Sequence, residues 1–167
     1  DYFIRHNEVV SENPSPGNKA GGITTLEDKS CGCVQKGGSA PIMDVIGYGE
    51  PVVTQGLNML YGPGNDLVSS TALTAAGAHM ILFTTGRGTP FGAPAPTVKI
   101  STNSPLAKKK QGWIDFNAGV VADGEQSIDQ AARALMELVL EVASGKQTRS
   151  EEKGFREISI FKDGVVL

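Results

Sequence analysis

The 167-residue chain is poor in the residues that announce a metal or disulfide framework: it has two cysteines, two histidines and one tryptophan. Cys31 and Cys33 are separated by one residue, a spacing at which a disulfide is strained. Structural zinc sites space their cysteines by two to four residues and need a second ligand pair, which His6 and His79 do not make. Two unpaired thiols fit a reducing compartment, so the expected location is cytoplasmic. No apolar run approaches about 18 residues, so no membrane partner is expected. The first ten residues carry no basic segment followed by an apolar one, which excludes a signal peptide there. There is no basic excess either: 15 Lys and Arg face 18 Asp and Glu, a formal charge of −3. Nucleic acid is therefore not an expected partner, and the run Lys108-Lys109-Lys110 is too short to recognise one.

What the chain has in quantity is glycine (21) and proline (9), together above the roughly 12% of average globular chains. With 40% apolar residues, this composition points to one folded domain with many tight loops. Residues 1–13 read as a connecting segment, extended or loosely helical. The lack of an initial Met suggests a cut through a longer protein. Residues 14–167 read as one domain. Within it, 11–22 has the composition of a loop, and Thr24 or Thr25 is placed to cap one or two helical turns over 24–29. Residues 41–46 form a short apolar segment, helix turn or strand. Residues 56–61 predict a buried strand, 62–66 a turn, 66–78 a helix ended by Gly77, and 80–85 a strand buried on both faces. Strand, turn, helix and strand in that order make a right-handed βαβ unit. A long Gly/Pro loop, 86–96, follows, and loops of that kind are usually functional or disordered. Residues 97–102 alternate like a strand and 113–117 are β-prone. The apolar spacing at Ile128, Ala131, Leu135, Leu138 and Val142 predicts a helix over 127–143. Residues 146–154 read as a solvated charged linker and 158–161 as a last strand, with a turn at 162–164. The fold class is α/β: a mostly parallel sheet flanked by helices in a Rossmann-like βαβ arrangement.

Several of these segments resemble a known family. Gly17-Asn18-Lys19-Ala20-Gly21-Gly22-Ile23-Thr24-Thr25-Leu26-Glu27-Asp28-Lys29-Ser30 and Gln35-Lys36-Gly37-Gly38 come first. Gly62-Pro63-Gly64-Asn65-Asp66, Phe83-Thr84-Thr85-Gly86-Arg87-Gly88-Thr89-Pro90, Ile100-Ser101-Thr102-Asn103-Ser104 and Asp115-Phe116-Asn117-Ala118-Gly119 follow. Together they resemble the C-terminal region of the altronate and galactarate dehydratase family over residues 14–167. The motifs sit nearer the altronate branch than the galactarate branch, and a sulfolactate sulfo-lyase branch resembles both. Relatives are longer, so upstream domains of the same polypeptide are implied partners, with homo-oligomerisation left open.

The resemblance implies a hydro-lyase that converts D-altronate to 2-keto-3-deoxy-D-gluconate and water. Such an enzyme takes a weakly acidic proton α to a carboxylate and expels the neighbouring hydroxyl. It needs a base, an acid and stabilisation of an enediolate. The implied cofactor is Fe2+, or alternatively Mn2+, an ion suited by oxygen ligands; the metal ligands themselves are not identified. By the same resemblance, Lys19, Glu27 and Lys29 are the candidate catalytic residues, although Glu27 and Lys29 also suit a solvated helix face. Candidate substrate contacts are Gly64, Asn65, Asp66, Thr85, Arg87, Thr89 and Asn103. Gly64, Asn65 and Asp66 open a helix, where backbone N–H groups favour an anion, and Asn65 and Asp66 are equally ordinary caps. Arg87, between two glycines after a strand, has the fork that grips a carboxylate, with a surface ion pair as its alternative role. Thr85 and Thr89 could serve sugar hydroxyls or local backbone groups. Asn103, Asp115 and Asn117 are each ligand or turn former. Ligands of open α/β sheets gather at the carboxyl ends of strands, which would put loops 62–66 and 86–96 on one edge. The fragment by itself is expected to fold but to be inactive, and the competing class is a non-catalytic domain for folding or subunit contacts whose upstream region holds the metal.

Overall fold

The computed structural model describes residues 2–9 and 13–160. A single turn, α1 (Tyr2–Arg5), precedes α2 (Pro16–Ala20) and α3 (Leu26–Lys36). Two strands follow, β1 (Ile42–Ile46) and β2 (Leu57–Leu60), then α4 (Asp66–Ala75), β3 (Ile81–Thr85) and β4 (Thr97–Ser101). The chain continues through α5 (Ser104–Lys109), β5 (Phe116–Asn117), α6 (Gly119–Ala122), α7 (Ile128–Ala143) and α8 (Arg149–Glu152).

The α/β class holds, and every strand pair is parallel. The pairing differs from the expected unit, because β2 and β3 lie in different sheets. One sheet is β1-β2 and the other β3-β4-β5. The helical crossover within a sheet is β4-α5-β5, whereas β3 reaches β4 through the loop 86–96. The second half of that loop enters the core: Phe91, Ala93 and Ala95 are buried with Ile81, and Phe91 meets Phe83 edge-on at 5.0 Å. The Thr97 hydroxyl accepts from Ala93 N (2.9 Å) and donates to Ala95 O (3.0 Å). Its glycines and prolines therefore serve packing as much as any ligand.

The strand buried on both faces is β4, all of whose residues are buried, rather than β3 or β2. β3 is an edge strand whose Leu82 is exposed, and β2 has an exposed face. Position in the sheet, not apolar content, decides this: β4 carries Lys99 and is still covered. On one side, Val98 and Ile100 pack under Val142, Leu135 and Leu138 of α7. That helix starts, as its periodicity predicts, at a capping box in which Ser127 and Gln130 bond each other's backbone N–H,.

Local chemistry explains the remaining departures. The segment 11–22 contains α2, since Pro16 at its first turn presets the helical φ,. α3 runs through Lys36, well past the expected turns, from Thr25, whose hydroxyl accepts from Asp28 N. Residues 41–46 resolve to β1, and β5 shrinks to two residues. The segment 146–154 is no solvated linker. Thr148 caps α8, and Thr148 and Ser150 are 1% and 2% exposed. Residues 158–160 form no strand; Ser159 N donates to the Thr71 hydroxyl. The expected Phe161 and the turn 162–164 lie outside the described residues.

Asp115 stitches β4 to α8. Its carboxylate accepts from Lys99 N at 2.7 Å and Arg149 N at 2.8 Å. Burial pushes the Asp115 carboxyl above its ordinary 3.8, partly offset by those two backbone bonds and by the Lys99 and Arg149 charges. Burial likewise pushes Lys99 down, opposed by Asp115 and Glu157. A carboxyl raised in the folded state adds stability that is complete below its unfolded value and lost as pH rises through the folded one. Relative to Asp115→Asn, the native protein should therefore lose stability as pH is raised from below 3.8. Urea midpoints of both proteins across that range check the sign. Asp115→Ala, which takes the acceptor from the buried Lys99 N and frees the exposed Arg149 N to water, should cost about 1–3 kcal/mol,.

Candidate functional site

Because β3, β4 and β5 are parallel, their carboxyl ends share one edge. There the chain turns at 86–88, 102–104 and 117–119, and hydrogen bonds tie these turns together. Thr102 N donates to Thr85 O at 3.0 Å, and Asn103 Nδ2 donates to Gly86 O at 3.1 Å. Asn103 Oδ1 accepts from Leu106 N at 2.9 Å, so the same side chain caps α5. Asn117 Nδ2 donates to the Ser104 hydroxyl at 2.9 Å, and Asn117 Oδ1 accepts from Gly119 N at 3.0 Å. Beside them lies a shallow polar hollow lined by Ser104, Lys108, Asn117, Asp123 and Glu125.

Arg87 stands at this edge, exposed. Its loop is held from two sides. Gly88 takes a positive φ of 78° and its N–H donates to the Thr85 hydroxyl at 2.8 Å. Lys110 Nζ donates to Arg87 O at 2.9 Å while lying 4.5 Å over the Trp113 ring. The Arg87 guanidinium passes directly over Gly17 of α2: a Cβ on that glycine would sit 2.9 Å from both terminal nitrogens. Two segments seventy residues apart in sequence, 17–22 and 83–90, therefore meet.

The other expected residues are placed less closely. Lys19 is exposed on α2, two residues beyond Gly17. Lys29 is half-buried on α3 and donates to Asn13 Oδ1 at 2.8 Å. Glu27 is exposed in the first turn of α3. Thr89 is half-buried in the loop after β3. Asn65 caps α4, accepting from Leu67 N and Val68 N at 3.2 Å each. Gly64 and Asp66 flank it, exposed. These three follow β2, in the other sheet, and none of the described hydrogen bonds joins 62–66 to 86–89. Asp115 spends both carboxylate oxygens on backbone N–H groups, which makes it a structural residue.

Two participants escape sequence reasoning. Lys110 belongs to a run read as solvated charge; the available signal was Trp113, three residues on. Gly119 was legible as part of a motif but not for its reason. Its Cα lies against the backbone of Asn103 and Ser104, where a Cβ would overlap Ser104 N.

Among the described residues, no three His, Cys, Asp or Glu side chains converge on a point that would hold a metal. Cys31 and Cys33 are both exposed on α3. The described side chains of this chain therefore do not supply a full His, Cys or carboxylate ligand set for a divalent ion.

Gly119→Ala should force the β5–α6 turn away from Asn103 at a cost of about 1–3 kcal/mol or more. Thermal unfolding measures the loss. A variant as stable as the native protein would show that the two turns part freely.

Residues 1–166 match the family model described as D-galactarate/altronate dehydratase, C-terminal. The chain is similar to an altronate dehydratase of Escherichia coli K12, 57% identical over 166 residues, which cover 99% of this chain and 33% of the relative. An altronate dehydratase of Bacillus subtilis 168 is 55% identical with the same coverage. A galactarate dehydratase (L-threo-forming) of Escherichia coli K12 is 38% identical over 159 residues, 93% of this chain and 30% of the relative. The chain thus spans about a third of the length of these relatives. No helix among the described residues is long and apolar enough to cross a membrane. With residues 1–166 of its 167 matched by that model, the chain belongs to the D-galactarate/altronate dehydratase family.

Proposed function

We propose that the chain is the substrate-carboxylate-binding part of a sugar-acid hydro-lyase acting on D-altronate, in a cytoplasmic enzyme whose upstream domains complete the site. The observation that carries this reading is the Arg87 guanidinium laid over Gly17. It joins the two motif segments that hold most of the candidate chemistry. Altronate is favoured over galactarate because identity to the altronate dehydratases is 57% and 55%, against 38%. Two exposed, unpaired thiols suit a reducing compartment,.

In this reading the planar fork of Arg87 receives the substrate carboxylate. The bare Gly17 lets the guanidinium lie on α2, and Gly88, at positive φ, turns the loop beneath it,. Thr85 and Thr89 stand on the same loop for the hydroxyls, and Asn103 holds the loop's edge. Of Lys19, Glu27 and Lys29, one group removes the proton α to the carboxylate, and the electron pair passes into the enediolate. Another returns a proton to the departing β-hydroxyl, so that the C–O bond breaks and water leaves. The resulting enol becomes the 2-keto-3-deoxy acid by proton transfer to carbon. A ferrous or manganous ion would supply Lewis-acid stabilisation to such an enediolate, and we assign its ligands to residues beyond those described here.

Arg87→Lys keeps the charge and loses the fork. In the full-length enzyme it should raise KM for altronate about tenfold, since a charge-assisted contact is worth about 1.5–3 kcal/mol and one decade is about 1.4. Arg87→Ala should be worse, and Gly17→Ala, which pushes the guanidinium aside, should share the KM effect with the fold retained. Unchanged steady-state kinetics in a folded Arg87→Ala enzyme would put this arginine in a surface role.

Replacing both Cys31 and Cys33 by Ser should leave the metal content of the full-length enzyme unchanged. Positions i and i+2 of a helix point to different sides and cannot chelate together. Loss of metal on elemental analysis would overturn the assignment of the ligands to residues other than these cysteines.

A further inference from the structure

The β1-β2 sheet is covered on one face only. Its register sets Ile46 opposite Leu60, on the face whose lining includes Leu73 and Ala76 of the α4 segment. On the other face Val45 pairs with Met59 and Ile42 with Leu57. Val45 is 72% exposed, Ile42 54% and Met59 53%. Val34 of α3, 77% exposed, borders the same hollow as Ile42, Leu57 and Met59. None of these side chains is charged, and α3 has no buried residue along its eleven positions.

Parallel strands are found with both faces covered, because their side chains are apolar on both. A two-stranded ribbon is marginal without a further layer. The bare face of β1-β2 therefore lacks its layer, and continuous apolar patches of this kind mark an interface. What is at hand to cover it is set by length. In the relatives, the stretch matching this chain is about a third of the polypeptide, and the family model that matches describes a C-terminal region. About two-thirds of such a polypeptide is therefore tethered to this domain at high effective concentration, which a free partner or second copy does not match. The patch also adjoins the 13–41 stretch, of which Pro14 alone is buried.

We propose that the Val45–Met59 face of the β1-β2 sheet, with Val34, is the docking surface for the preceding part of the same polypeptide in the full-length protein. This interface stands apart from the Arg87 edge and does not depend on the substrate assigned there.

The test uses the full-length protein with Cys31 and Cys33 replaced by Ser and a single probe, Val45→Cys. Maleimide should label this thiol more than tenfold more slowly in the native protein than in urea. A native rate within tenfold of the denatured rate overturns the proposal. A benzoyl-phenylalanine photo-crosslinker in place of Met59, in a mixture of isotopically light and heavy protein, identifies what covers the face. A cross-link within one polypeptide to a peptide preceding this chain supports the proposal. A light–heavy cross-link, or none, overturns it. Should Val45→Cys fail to fold, the natural Cys33 at the rim of the hollow, labelled in the Cys31→Ser protein, gives the same reading.

Discussion

Two backbone N–H groups, Lys99 N on β4 and Arg149 N on α8, both end on the carboxylate of Asp115. Those bonds join the central strand, the segment entering β5 and a late helix at one side chain. Lys99 N lies in a buried strand and would lose its carboxylate acceptor there, whereas Arg149 N, at an exposed residue, would turn to water,. The arrangement has a cost: β4 buries the Lys99 side chain to 1% exposure. The lysine lies 5.6 Å from the Phe91 ring centre and in the field of Asp115 and Glu157. Glu157 in turn accepts from Gly92 N, so the same charges hold the second half of the loop after β3. Both shifted titrations oppose the charged forms, which marks this as a cluster that organises backbone more than it adds stability.

With β4 held in the middle, the rest of the edge follows. Parallel order sends three strand ends to one side, and the turns there are bound through Asn103 and Asn117. Gly119 lets two turns touch backbone to backbone, and Gly17 lets a guanidinium lie on a helix. Small residues at both places shape the edge by what they omit. The loop bearing Arg87 is fixed at its base by Thr85 and Lys110, while the guanidinium itself stays exposed. That combination of an anchored loop and an open head suits the capture of a small anion.

The N-terminal third behaves differently. α2 and α3 carry the densest motif, yet neither buries a residue. Lys29 reaches Asn13, and Gly17 meets Arg87. The β1-β2 sheet is equally unfinished on its outer face. Both features fit the docking surface proposed above.

Much of the local structure was legible residue by residue. Ser127 and Gln130, Asn65 and the apolar spacing of 128–142 each encode their helix through short-range chemistry, and the motif around Arg87 follows the end of a strand, as its pattern suggested. Pairing was not legible. The β2-α4-β3 order reads as a crossover, and the two strands nonetheless enter different sheets, because which strands hydrogen-bond is settled by distant segments. Burial misled for the same reason: the apolar 80–85 became an edge strand while Lys99 went to the centre. The site shows the same division. Arg87 and Lys19 were visible as residue types in a pattern. The meeting of Arg87 with Gly17, the support from Lys110 and the separation of 62–66 from 86–89 were not, since each depends on contacts between residues far apart in the chain. By itself, the sequence determined α4 and α7, with their caps, and pointed to the family, while the short helices α2, α5, α6 and α8 went unread. The tertiary structure alone decided which strand is central and which motif faces which, because burial and close approach are properties of neighbours that no local pattern records.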